Sequence, residues 1–320
     1  MSASFCGCGG STNGNTGTVT GKGITFKKSV SMILVFKKDT TGELNVIQES
    51  DFVDGVLPQS FIDDKLNNSD PSKRWYPINQ LTTVDSVRGD RALSSAETGE
   101  NTQTTAVAVR PFSAMVEYGG CVFLRNLERF ACDELAVYLI DNCGTLKGEV
   151  KRTDLTNLRP LAIALNNWYP NEIWAQGDEN GMVNIQFEFD SRVRDSNCEL
   201  VPSGNMAFDA CDLDGLLNLV PDNPFTNITA TTFSATLRLE YGPFASKRLQ
   251  TGLVITDFVI YNVTTDSVIA GAVVESSAGV YDFTIPAQTA ADKIELRQAT
   301  TGVQYTKQGF ELVVQSFDAV

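Results

Sequence analysis

The sequence predicts a mainly β protein: a β-sandwich or barrel with one packed α-helix, followed by a second β-sandwich. Three observations predict it. Between Met182 and Asp190 the apolar residues Val183, Ile185, Phe187 and Phe189 alternate with Asn184, Gln186, Glu188 and Asp190, the period of a half-buried strand. Between Asn126 and Asn142 the apolar positions Leu127, Phe130, Ala131, Leu135, Tyr138 and Leu139 fall close to helical spacing. After Pro221-Asp-Asn-Pro224 short β runs arrive at regular intervals separated by turn residues.

Taken in order, residues 1–23 are mostly Gly, Ser, Thr and Asn, a composition that predicts a flexible N-terminal arm. From residue 24 the pattern is β, with Ile24–Phe26, Ser31–Lys37 and Leu44–Gln48 reading as an opening meander around the turn Asp39-Thr-Thr-Gly42. Residues 50–105 show little periodicity and one aromatic knot, Arg74-Trp-Tyr-Pro77, and are expected to form a long working loop. Strands resume at Ala106–Val109 and Ala114–Tyr118. The helix is expected over 126–142, stopped by Asn142-Cys-Gly144. The turn Gln176–Gly181 predicts a hairpin into the Met182 strand, and Asp212–Val220 a short helix or turn. The first domain therefore spans 24–228. In 229–320 the runs 234–241, 252–263, 267–275, 279–285, 293–298 and 308–315 have the spacing of an immunoglobulin-like sandwich.

Composition excludes several functions. The 320 residues carry no histidine and a formal net charge of −14. Absence of histidine removes the commonest general base and metal ligand, so Ser-His-Asp, Cys-His and HExxH chemistry are out. The acidity argues against a surface built to neutralise phosphate or anionic lipid. It is concentrated in residues 1–228, which hold 19 basic and 30 acidic residues against 6 and 9 in 229–320. Seven cysteines at 6, 8, 121, 132, 143, 198 and 211 predict reduced, mostly buried thiols rather than a disulfide framework. The start lacks the signature of a secretory signal and no stretch of 18 apolar residues occurs, so the chain is expected to be made in a cytoplasm and not to span a membrane.

Local chemistry is sparse. Cys6-Gly-Cys8 supplies half a tetrahedral metal site, and Asp212-Leu-Asp-Gly215 lacks the later ligands of a calcium loop, so no metal or other cofactor is expected. Glu188 with Asp190, or Asp178 with Glu179, could be offered as a glycosidase pair, but strand alternation accounts for Glu188 and Asp190 as an exposed face. No enzymatic activity is expected. Trp168-Tyr-Pro170 and Trp174 read as core and interface packing rather than a sugar platform. Lys22, Lys27, Lys28, Lys37 and Lys38 form the one basic cluster, suited to an acidic neighbouring subunit.

An acidic β domain with one amphipathic helix, a long polar loop, a Gly-rich arm and a C-terminal immunoglobulin-like domain together resemble the major tail protein, or tail tube protein, of tailed bacteriophages. The resemblance spans the whole chain in its organisation. It implies hexameric rings stacked into the hollow tail tube through which double-stranded DNA is ejected, in contact with other tail proteins: a sheath or terminator, and the baseplate. It places the protein in the virion tail, made in the cytoplasm of a bacterial host, with the C-terminal domain as an outer decoration. The wall of the lumen would be the strand face Asn184, Gln186, Glu188 and Asp190, since a conduit for DNA should avoid cations that would trap it. Contacts between rings would use Lys27, Lys28, Arg74, Trp75 and Tyr76. The alternative is a capsid decoration or head-fibre protein, or a baseplate component, with the same C-terminal domain.

Overall fold

A computed structural model describes residues 25–89, 92–95, 102–106, 108–117, 120–175, 180–222, 224–241, 248–299 and 310–320. The predicted arm, with Cys6, Cys8 and Lys22, and the acidic pair Asp178 and Glu179 lie outside these residues. The protein is mainly β, with two short α-helices among the described residues.

The first half contains strands β1 (Ser29–Phe36), β2 (Ile47–Gln48), β3 (Trp75–Ile78), β4 (Leu81–Asp85), β5 (Ala92–Ser95), β6 (Thr102–Ala106) and β7 (Pro111–Val116). It continues through β8 (Leu135–Asp141), β9 (Leu146–Lys151), β10 (Asp154–Arg159), β11 (Leu161–Ala162), β12 (Tyr169–Ile173), β13 (Met182–Glu188) and β14 (Cys198–Val201). An eight-stranded sheet has the order β2-β10-β9-β8-β1-β3, with β11 on β8 and β14 on β9, and a four-stranded sheet has the order β12-β13-β7-β4. The strands β5 and β6 form a separate ribbon.

The eight-stranded sheet is apolar on both faces. Met32 and Leu34 of β1 and Leu135, Val137 and Leu139 of β8 pack toward the four-stranded sheet, against Phe112, Ile185, Phe187 and Trp168. The intervening residues Ile33, Val35, Ala136, Tyr138 and Ile140 pack the opposite way, onto Leu57, Ile62, Leu66, Trp75 and Met206. The second core is covered by helix α1 (Gln59–Leu66), which buries Ile62 and Leu66, one turn apart. Such a doubly covered strand reads as a near-continuous apolar run, and all seven residues of β8 are buried, with Asp141 at its end the one charged residue among them.

That corrects the helix expected over 126–142. Its apolar positions are divided among helix α2 (Gly120–Glu128), whose Leu127 is buried, the turn that holds Phe130 and Ala131, and the strand β8, which takes Leu135, Tyr138 and Leu139. A short continuous apolar run serves a buried strand as well as a helix, and the β-branched Val137 and Ile140 with Tyr138 favour the strand. The long loop expected over 50–105 is likewise replaced, over its described part, by α1, β3, β4 and the β5–β6 ribbon. The hairpin into the Met182 strand is present as the antiparallel β12–β13 pair, Tyr169 facing Gln186 and Ile173 facing Met182.

The remaining chain forms a two-sheet sandwich with a core of its own, including Phe233, Leu237, Phe258, Tyr281, Phe283 and Leu296. Its strands are β15 (Leu217–Pro221), β16 (Thr232–Leu239), β17 (Phe258–Asn262), β18 (Ser267–Ile269), β19 (Ala272–Ser277), β20 (Val280–Thr284), β21 (Lys293–Gln298), β22 (Phe310–Leu312) and β23 (Gln315–Asp318). Five pair in the order β19-β20-β16-β15-β22 and four in the order β18-β17-β21-β23. Phe233 stacks on Phe283 with ring centroids 4.6 Å apart. Because β15 pairs with β16 and β22, this sandwich begins at Leu217, ahead of the boundary expected at 228/229. The segment Asp212–Val220 thus ends in a strand rather than a helix.

Candidate functional site

The predicted alternation fixes the orientation of β13. Val183, Ile185 and Phe187, with Phe189 just beyond, are buried. The neighbouring strands extend the opposite face into rows: Asn171, Asn184, Met115 and Thr82 in one, Tyr169, Gln186 and Ser113 in the next, then Glu188 beside Pro111. Strands β4, β7, β12 and β13 contain no lysine or arginine and three carboxylates, Asp85, Glu172 and Glu188.

The four residues singled out on β13 differ in environment. Gln186 is exposed and Glu188 half-buried. Asn184 is only 6 % exposed, its amide donating to Asn171 Oδ1 at 3.3 Å, so it offers little to solvent. Glu188 is held from Asn167, whose Oδ1 accepts the Glu188 backbone N–H at 2.8 Å. Asp190 lies beyond the strand and is claimed by Arg192, with Nη2 2.5 Å from Oδ2 and Nε 2.9 Å from Oδ1. Hydrogen bonding from Arg192 holds its carboxyl down at about 2. The face is therefore polar and weakly acidic, with Glu188 the one carboxylate of the predicted set outside an ion pair.

The residues expected to touch a neighbouring ring divide differently. Lys27 and Lys28 are exposed, and Lys27 Nζ donates to Cys143 Sγ at 3.1 Å. Arg74, Trp75 and Tyr76 are turned into their own chain, which corrects their assignment. Trp75 is 1 % exposed and packs on Tyr138 with ring centroids 5.0 Å apart. Tyr76 points to the other side of the sheet, 4.8 Å from the ring of Phe130, and donates to Pro71 O at 2.8 Å. Burial pushes its hydroxyl up to about 12. Both faces of β3 meet a core, and the aromatic knot follows from that.

Arg74 is 4 % exposed. Its Nε donates to Asn68 O at 2.8 Å, and Nη1 and Nη2 reach Glu311 on β22 at 2.5 and 3.3 Å. A second pair crosses between the same two parts of the chain: Arg125 Nη2 of α2 donates to Glu240 Oε1 at 2.5 Å, while Asn218 Nδ2 donates to Oε2 at 2.5 Å. Burial would raise the Glu240 carboxyl, but these hydrogen bonds outweigh it and hold the pKa below its ordinary value. Both pairs join residues more than 100 positions apart, so sequence reading had no local signal for them.

The thiols also depart from expectation: Cys121, Cys132 and Cys143 are exposed and Cys198 and Cys211 half-buried, all free. Trp168 is core, its Nε1 donating to Leu127 O at 2.9 Å, whereas Tyr169 and Trp174 are 63 % and 76 % exposed at and just past an outer strand of the four-stranded sheet. Among the described residues no helix is long and apolar enough to cross a membrane. No protein-family model matches the chain, and no curated protein matches it.

Proposed function

We propose that the protein is a virion structural component that self-assembles into stacked rings, forming the tube of a phage tail. The observation that carries this reading is the four-stranded sheet without a cation. DNA presents about one negative charge per 1.7 Å of axis, so a wall along which it slides is best polar and free of lysine and arginine. A face of Gln186, Ser113, Tyr169 and Glu188 meets that need, with mild repulsion in place of binding. The outer strands β4 and β12 each have one ladder partner among the described residues, and such edges pair readily with another chain. Tyr169 and Trp174 beside β12 supply apolar area for that contact. The C-terminal sandwich, with its own core, suits an outer decoration.

Negative-stain electron microscopy of the purified, concentrated protein tests the reading. Rings or hollow tubes with a pore wide enough for duplex DNA are the expected result. Monomers, trimers or knobs bound to capsids would replace it with the decoration or fibre alternative.

A further inference from the structure

The mouth of the first sandwich, between the eight-stranded and four-stranded sheets, holds a cavity of about 250 Å³. Its rim carries Lys27, Lys28, Arg110 and Lys147, and no carboxylate lines it. In a chain with a net charge of −14 this gathering of cations runs against the overall balance. Its floor is apolar: Leu161, Phe189 and Val193 belong to the core shared by the two sheets.

Among the described residues three carboxylates lie near the rim and none lines it: Glu149, opposite Cys198, is nearly buried, which pushes its pKa up. Asp141 is fully buried and spent on the backbone N–H groups of Lys27, Cys143 and Thr145. Asp195 reaches Arg110 Nη2 at 2.9 Å but is shared with Arg88 at 3.3 Å and is itself 56 % exposed. Arg110 lines the cavity, and its one carboxylate contact among the described residues is this shared, half-exposed Asp195. The Lys147 ammonium lies over the Phe26 ring at 5.1 Å, a contact that leaves its N–H groups able to turn to an anion.

We infer that this cavity binds a small amphiphilic anion, a carboxylate on a short apolar chain. The headgroup sits among Lys28, Arg110 and Lys147 and the chain lies on Leu161, Phe189 and Val193. The volume gives room for a carboxylate and a chain of several carbons. An apolar floor with a few convergent charged groups is the usual build of a small-molecule site. The inference is independent of the tube reading, since the cavity lies within one protomer.

Octanoate is the probe, titrated into the full-length protein by isothermal calorimetry, with octan-1-ol and acetate as controls. Saturable one-to-one binding of octanoate is expected, at least tenfold tighter than either control. The double variant K28Q/K147Q should weaken octanoate at least tenfold and leave octan-1-ol unchanged. Cys198 also lines the cavity, so octanoate should slow its alkylation by iodoacetamide, read by peptide mass mapping, while exposed Cys121 reacts as before. Equal affinity for octan-1-ol would overturn the role of the cations, equal affinity for acetate the role of the floor, and an unprotected Cys198 the location. The alkylation readout needs no variant and stands even if K28Q/K147Q fails to fold.

Discussion

Replacing Arg74 by Met tests whether the two halves of the chain are joined as described. The side chain's polar contacts include three: Nε to Asn68 O at 2.8 Å and the two guanidinium nitrogens to Glu311 at 2.5 and 3.3 Å. Met keeps most of the apolar stem and removes all three. Glu311 is 31 % exposed, so water takes up part of its charge and the pair is placed at the low end for a charge-assisted bond, about 1.5 kcal/mol. The stranded Asn68 carbonyl adds about another 1.5 kcal/mol. Arg74→Met should therefore cost about 3 kcal/mol, read by urea denaturation. In a double-mutant cycle with Glu311→Gln the coupling should be about 1.5 kcal/mol. Two cores need not unfold together, so tryptophan fluorescence and amide exchange in β22 should both be followed. Trp75 reports on the first half and Phe310 to Leu312 on the second. Strict additivity, with coupling inside about 0.3 kcal/mol, would show that Arg74 and Glu311 do not meet in solution and would refute the joined arrangement.

Three further outcomes follow from single sites. Gly148 in β9 runs so close to β10 that an added Cβ would lie 2.5 Å from Arg159 O; Gly148→Ala should cost about 3 kcal/mol, at the upper end for overpacking, checked by thermal unfolding. Because the folded pKa of Asp190 is depressed to about 2, its contribution is complete above the unfolded value of about 4 and is lost as pH falls toward 2. Asp190→Asn should flatten the acid limb of the stability profile in that window and leave its shape above pH 5 unchanged. Trp174, 76 % exposed, should matter for assembly and not for folding: Trp174→Gln is expected to abolish rings or tubes in micrographs while leaving the melting temperature within about 2 °C.

Much of the fold was legible because strand periodicity reports burial directly. The β13 alternation predicted its buried face and the exposure of Gln186, though not the burial of Asn184, and the hairpin before it followed from a Gly-containing turn. Where the reading failed, a strand had two cores instead of one. In β8 the residues Leu135, Val137 and Leu139 serve one core and Ala136, Tyr138 and Ile140 the other, so period two vanishes into a continuous apolar run, and the subset Leu135, Tyr138 and Leu139 imitates a helix. The same geometry hid β3. Trp75 and Tyr76 are adjacent and both apolar because each points into a different layer, and an aromatic pair inside a polar stretch then resembles an exposed anchor.

Charge pairing was the less legible part of the site. Arg74 finds Glu311 after 237 residues and Arg125 finds Glu240 after 115, distances over which composition says nothing about partners. A basic residue beside aromatics has the same local appearance whether its carboxylate lies in its own chain or in a neighbouring copy, and closure of the fold decides between them. The absence of cations from β4, β7, β12 and β13 is of another kind. It needs no partner to interpret, since any lysine or arginine in those strands would appear in the sequence itself. Once the register aligns the four strands, a property of each becomes a property of one continuous face. Placing a single positive charge on that face by Gln186→Lys, where the side chain is already exposed, therefore tests function apart from fold. Assembly should persist, and DNA passage in a phage carrying the change should slow, most strongly at low ionic strength where phosphate–lysine attraction is least screened. Unchanged ejection at every salt concentration would mean that this face does not line the path of the DNA.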